Sequence, residues 1–195
     1  MHSIYKILIK TIIEDIIPIT ETSISKGNKI FGAAILNKYD NSLVCVGINN
    51  EIKNPLWHGE ISALNNFYEI PINIRPNTKD CIFLSTHEPC SLCLSAITWT
   101  GFDNIYYFFP YIDTKNKFDI PHDLKILKDV FNIENGNYNR DNCYWKSYSI
   151  INNINSLKEP ERSHLKEKVS KIINIYQNFS DLYQKNKSKN IIPLN

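Results

Sequence analysis

No stretch of this 195-residue chain approaches the ~18 consecutive apolar residues that a membrane-spanning helix requires. The most apolar segment, at the N-terminus (Ile4, Ile7, Leu8, Ile9, Ile12, Ile13, Ile16, Ile17), is broken by Lys6, Lys10, Glu14 and Asp15. No small-residue cleavage site follows it, so it does not read as a secretory leader. A surplus of one charge sign is also missing. Lys and Arg number 22 against 20 Asp and Glu, and a net charge of +2 is too small to argue for a polyanionic partner. Nor is there a disulfide framework, because the five cysteines are odd in number and irregularly spaced. Cys45 and Cys81 lie in apolar, strand-like runs and read as buried free thiols. Internal repeats are absent. These absences exclude a membrane protein, a disulfide-stapled secreted module and a strongly basic nucleic-acid binder, and they place the chain in a reducing cytoplasm.

What is present is the composition of a soluble globular protein, 43% hydrophobic and 22% charged. Ile4, Leu8, Ile12 and Ile16 form a helical stripe over 3–17, which Pro18 and the Thr/Ser/Gly-rich stretch to Asn28 are expected to end. Residues 30–36 and 43–48 read as two strands joined by a turn, too close for a crossover and therefore antiparallel. A helix over 58–68, a strand over 81–86, a helix over 90–100 closed by Gly101, and a strand over 104–109 closed by Pro110 follow. This alternation predicts an α/β sheet with helices on its faces. Beyond residue 112 the pattern loosens to a helix over 121–133, a short strand over 144–150 and a helical stripe (Leu165, Val169, Ile172, Ile173, Tyr176, Phe179, Leu182). The organisation expected is one domain over 1–155, then a helical extension and frayed tail over 156–195.

Two segments carry chemistry, Trp57-His58-Gly59-Glu60 and Glu88-Pro89-Cys90-Ser91-Leu92-Cys93. Each falls at the start of an expected helix. Cys90 and Cys93, three apart, place their sulfurs on one face, and neutral His58 supplies a third ligand. Three protein ligands leave the fourth tetrahedral position open for water, which separates a catalytic zinc site from a structural one. The free N–H groups of a first helical turn favour thiolate over thiol, and bound zinc lowers the pKa of its water to ~7. Glu60, two residues past His58, reaches forward from the helix end to that water without ligating the metal.

His-x-Glu followed by Pro-Cys-x-x-Cys resembles the signature of the zinc-dependent nucleobase and nucleoside deaminases, the cytidine/deoxycytidylate deaminase-like superfamily. Gly32-Ala33 is similar to that family's pocket-lining strand, and Gly47-Ile48-Asn49 to its strand-end asparagine that hydrogen-bonds substrate. The resemblance covers roughly residues 1 to 110. It implies a three-layer α/β/α fold around a mixed five-stranded sheet, a zinc cofactor, and a homodimer with the active site near the subunit interface. Glu60 is implied as the proton carrier, with Asn49, Ala33, Trp57, Glu88 and Pro89 in contact with substrate. The His-Gly-Glu form, with Gly59 in place of alanine, resembles fungal-type cytosine deaminases.

The function expected is hydrolytic removal of an exocyclic amine from a small nucleobase or nucleoside of cytosine or guanine type. Other readings remain open at this point. The same chemistry on a tRNA adenosine would call for a basic surface, which the charge does not provide. A non-catalytic, zinc-bound interaction module has no use for Glu60. A thioredoxin-like redox pair would not explain His58, and a structural zinc site would need Cys143 or His87 as a fourth ligand. His87 reads as an orienting residue near the metal or substrate. Trp99 reads as core, and His2, His122 and His164 as surface.

Overall fold

The computed structural model describes residues 4–194. A five-stranded sheet runs in the order β2-β1-β3-β4-β5, formed by β1 (Gly32–Asn37), β2 (Leu43–Ile48), β3 (Cys81–His87), β4 (Asn104–Phe109) and β5 (Lys146–Ser149). β1 pairs antiparallel with both β2 and β3, whereas β3–β4 and β4–β5 are parallel, so the sheet is mixed. The hairpin expected from 30–36 and 43–48 is present, with Ala33 opposite Gly47 and a register shift after Ile35.

Side-chain alternation on the central strands builds two cores. On one face Ala34, Leu36, Ile82, Leu84 and Phe108 pack under α1 (Ile4–Thr11), α2 (Ile17–Ile24), α7 (Ile150–Asn155) and α8 (Glu161–Asn186). On the other, Ala33, Ile35, Cys81, Phe83 and Ile105 pack under α3 (Gly59–Glu69) and α4 (Ser91–Trp99). Helices thus cover both faces, giving three α/β/α layers. The long α8 belongs to the first core, burying Leu165, Ile172, Tyr176 and Tyr183. Among the described residues no helix is long and apolar enough to cross a membrane.

Several local expectations are corrected. Pro18 does not end the first helix, because a π-helical turn over Ile12–Ile16 joins α1 to α2, with the Ile17 N–H donating to Ile12 O. Pro18 then falls in the first turn of α2, where its missing N–H costs nothing. After β4 the helix expected over 121–133 is present as α6 (His122–Phe131), but one not expected, α5 (Tyr111–Phe118), precedes it. α5 shows no readable stripe, since only Tyr111, Thr114 and Phe118 of its eight residues are buried. Trp99 is 88% exposed rather than in the core, because α4 turns Cys93, Leu94 and Ile97 inward and Trp99 out at its last residue. Cys81 is buried as expected, but Cys45 on edge strand β2 is only partly so.

Candidate active site

His58 and Cys90 occupy the N-cap positions of α3 and α4, both with extended backbone. The two helix starts are brought together by the sheet. β1 and β2 carry α3, and β3 runs straight into the turn before α4. The start of α3 presses so closely on β1 that a Cβ built on Gly59 would lie 2.6 Å from Gly32 Cα. The glycine in His-Gly-Glu is therefore a packing requirement here, since a backbone atom cannot yield as a flexible side chain would.

The turn before α4 is held from several directions. Glu88 N–H donates to Phe109 O at 2.7 Å. The Glu88 carboxylate accepts from Tyr111 N–H (3.1 Å), Tyr138 Oη (2.9 Å) and Arg140 Nη2 (2.6 Å). The Pro89 carbonyl accepts from Tyr111 Oη. Glu88 and Pro89 thus face these partners, which hold the turn that leads into Cys90.

At the junction, His58 Nδ1 lies 3.3 Å from Cys90 Sγ and 3.6 Å from Cys93 Sγ. All three donor atoms fall within 4.8 Å of one another. One imidazole nitrogen and two sulfurs at ~3.5 Å spacing are what a tetrahedral zinc with Zn–S ~2.3 Å and Zn–N ~2.0 Å demands, so the donor set fits that metal. Burial pulls the His58 imidazole down, but the Cys90 sulfur, Glu51 and Glu60 outweigh it and raise the ring to about 9. Hydrogen bonding from Cys93, together with His58, holds the Cys90 thiol well below its usual range. Burial and the neighbouring Cys90 sulfur push Cys93 the other way.

Glu60 is fully buried beside this trio. Its Oε1 accepts from Ser85 Oγ at 2.8 Å, and its Oε2 lies 3.3 Å from Cys93 Sγ. Burial, with the Cys90 sulfur nearby, pushes its carboxyl up to about 7. His87 Nδ1 lies 3.5 Å from Glu60 Oε1, and its ring stacks on Phe31 at 4.0 Å. Burial and the cationic neighbours His58 and Lys29 hold His87 down, to about 3, so it is neutral.

A cavity of about 260 Å³ opens beside His58 and Cys90. His58, His87 and Cys90 line it with Phe31, Asn49 and Glu51. Asn49 Oδ1 accepts from Gly59 N–H (3.0 Å) and its Nδ2 donates to Glu51 (2.8 Å), which leaves one amide proton for a ligand. The other expected contacts lie elsewhere. The Ala33 side chain is in the core beneath α3, and Trp57 faces a separate open cleft of about 1020 Å³ alongside α2 and α3. The Lys53 ammonium sits 4.6 Å from the Trp57 ring centre.

Sequence reading missed five residues. Lys29 and Glu51 line the cavity as a buried ion pair at 2.7 Å. His122 and Asp123, both half-buried at the start of α6, line it too, which gives His122 a place in the cavity that its sequence context did not suggest. Enclosure, with the Cys90 sulfur nearby, raises Asp123 well above the carboxylate range. Arg140 clamps Glu88 across 52 residues of sequence. Only the Asn49-x-Glu51 spacing was a local signal. The others arrive by packing.

Comparison with known proteins agrees with this geometry. The model of the cytidine and deoxycytidylate deaminase zinc-binding region matches residues 9–109 of the 195, a little over half of the chain. The chain is 34% identical over 85 residues to the cytosine deaminase of Candida albicans, covering 43% of this chain and 54% of that protein. It is 29% identical over 85 residues to the guanine deaminase of Bacillus subtilis, covering 43% and 52%. The chain spans about half the length of the curated relatives it matches. A mutant protein crystallised with 8-azaguanine superposes with a TM-score of 0.53 at 13% identity, over 85% of this chain and 80% of that one, which shows a shared fold. The matched residues span β1 to β4 and both motif-bearing helix starts, and on that match the chain belongs to the family that carries the cytidine and deoxycytidylate deaminase zinc-binding region.

Proposed function

We propose that the protein is a zinc-dependent hydrolytic deaminase of a free nucleobase or nucleoside, in which His58, Cys90 and Cys93 hold the metal and Glu60 moves the protons. One observation carries the reading, a buried carboxylate 3.3 Å from a sulfur of the three-donor cluster yet outside it. A structural metal site has no use for such a group. When bound, zinc supplies an activated water at neutral pH.

The residues around it do the rest. Ser85 Oγ–H fixes Oε1 of Glu60, leaving Oε2 to take a proton from the attacking water. Glu60 would then deliver that proton to the ring nitrogen beside the amine-bearing carbon. It would take the second proton from the hydroxyl added to that carbon, and pass it to the amine as the C–N bond breaks and the carbonyl forms. Its elevation to about 7 suits a group that must both take and release a proton near neutral pH. The spare Nδ2 proton of Asn49 is placed for a substrate acceptor. Glu88–Arg140 holds the turn that presents Cys90, and the apolar Phe31, Ile120 and Ile126 exclude bulk water. A homodimer and a cytoplasmic location carry over from the family resemblance as part of this proposal.

The test combines two measurements on one preparation. Zinc content is expected at about one per chain and lost in His58→Ala or Cys90→Ala. Ammonia release is expected from at least one of cytosine, guanine, adenine or their nucleosides. Activity retained by protein that never holds zinc would remove the metal from the reading. Zinc-loaded protein that deaminates none of them, but does deaminate a tRNA, would move the substrate to the polynucleotide class.

A further inference from the structure

Glu51 and Lys29 form a buried ion pair in the cavity lining, and the two partners differ in what they have left to offer. Glu51 is fully used. Its Oε1 takes the Lys29 ammonium at 2.7 Å and lies 3.7 Å from His58 Nε2. Its Oε2 accepts from Asn49 Nδ2 at 2.8 Å and from Lys29 N–H at 3.4 Å. Lys29 is not used up. An ammonium has three donors, and among the described residues Glu51 is its only hydrogen-bond acceptor. Two donors remain on a residue that is 8% exposed and lines the same cavity as His58 and Cys90.

Stability does not account for the pair. Taking two charges out of water offsets most of their attraction, so a buried Lys–Glu pair adds little over well-packed apolar side chains. A charge-neutralised ammonium with spare donors is instead a hydrogen-bonding group for the cavity's occupant. The occupant is not selected as an anion, because the Lys29 charge is already met by the Glu51 carboxylate at 2.7 Å. What remains is a neutral acceptor on the substrate ring.

We propose that Lys29 is a specificity-determining residue, and that it donates from Nζ to a ring oxo group of the substrate. The site then selects amino-oxo heterocycles over their counterparts that carry the amine alone. This rests on the deaminase reading above and adds which part of the substrate is read, and by what.

The experiment compares pairs of substrates that differ in the oxo group and the ring N–H that accompanies it, namely cytosine with 4-aminopyrimidine and guanine with 2-aminopurine. Ammonia release is measured for the zinc-loaded parent, Lys29→Met and Lys29→Met/Glu51→Gln. The double variant removes the carboxylate that the single one strands beside His58, so it keeps the test open if the single variant loses zinc. The parent is expected to favour the oxo member of at least one pair by roughly 10- to 10²-fold in kcat/KM, the range for one hydrogen bond to a charged donor. In the variants that ratio is expected to fall by roughly 10- to 10²-fold, through loss of the oxo member's rate alone. Equal rates within the parent's pairs overturn the inference. So does a ratio that survives in the variants while both members slow together, since that is the mark of a purely structural lysine. No ammonia from the parent with any pair overturns this inference alone if adenine or a nucleoside is deaminated by the same preparation, and overturns the deaminase reading with it if none is, whereas the other two outcomes leave the deaminase reading standing.

Discussion

The cavity is built by two regions that differ in how they came to be there. Residues 9–109 match a family model and supply the three-donor cluster His58, Cys90 and Cys93, with Glu60 beside it, within two short motifs. Residues beyond 110 carry no such motif, yet they supply Ile120, His122, Asp123 and Ile126 to the same cavity, as well as Ile192, Pro193 and Leu194. The first region is positioned by backbone, through helix N-caps on adjacent strands and a glycine pressed against a strand. The second is positioned by packing of α5, α6 and α8. On the function proposed above, the difference teaches a division of labour, in which the matched region would set what reaction is run and the unmatched region would help set what it is run on. Arg140 is where the two meet, because a residue from the second region fixes the turn that presents Cys90.

The largest effect that tests this division is on Glu60. Glu60→Gln keeps shape and the hydrogen bond to Ser85 but removes basicity. Turnover is expected to fall by roughly 10²–10⁴-fold, in kcat far more than in KM, with zinc content unchanged. Single-turnover ammonia release and metal analysis on one preparation read both. Near-normal turnover in zinc-loaded variant protein would break the comparison at its strongest point, because the matched region would then not hold the proton carrier.

How much of this was legible depends on the range of the interactions. The hairpin, the buried β3 and both motif-bearing helices were readable because each is encoded within about ten residues, by alternation, a turn or a capping position. The mixed five-stranded sheet followed from the family resemblance. Pro18 misled because a π turn, invisible to periodicity, moves the proline into a first helical turn. The site divides in the same way. Cys90 and Cys93 are three residues apart, whereas Lys29 meets Glu51 across 22 residues and Arg140 meets Glu88 across 52. No local pattern announces a contact of that length, and Trp57 shows the converse, adjoining His58 in sequence but facing another cleft.

A second, smaller effect sharpens the comparison inside the matched region itself, at a residue outside the signature. His87 is buried and neutral, held down to about 3. In the unfolded chain it titrates near ~6.5. Between these values the unfolded state binds the proton and the folded state does not, so stability rises with pH and is lost as pH falls below ~6.5. At pH 5 the loss is about 2 kcal/mol relative to neutral pH. His87→Gln keeps a polar side chain but does not titrate, and denaturant unfolding of both proteins at pH 7.5 and pH 5 reads the difference. Loss of zinc in acid acts on both alike. Equal acid sensitivity in parent and variant would mean that His87 takes up its proton in the folded state and does not serve as a neutral support for Glu60.

The smallest effect tests the unmatched region alone, at Leu194. This side chain lines the cavity but is 50% exposed, and it follows the anchored turn in which Asn190 Nδ2 donates to Gly27 O at 3.0 Å. Truncating a half-exposed leucine removes little buried area from the fold, so Leu194→Ala is expected to change stability by no more than about 0.5 kcal/mol. If the tail forms part of the cavity wall, the lost contact belongs equally to bound substrate and to the transition state. It should then raise KM by roughly 2- to 5-fold with kcat nearly unchanged. That is at most about 1 kcal/mol, in line with partial burial of a few methylene groups. The split between KM and kcat is the decisive reading, because a tail that merely braces the scaffold would shift thermal stability and leave KM alone. A fall in kcat equal to the rise in KM would go further. It would show that the C-terminal residues act on the reacting atoms as well as on substrate choice, and the division between the two regions would no longer hold.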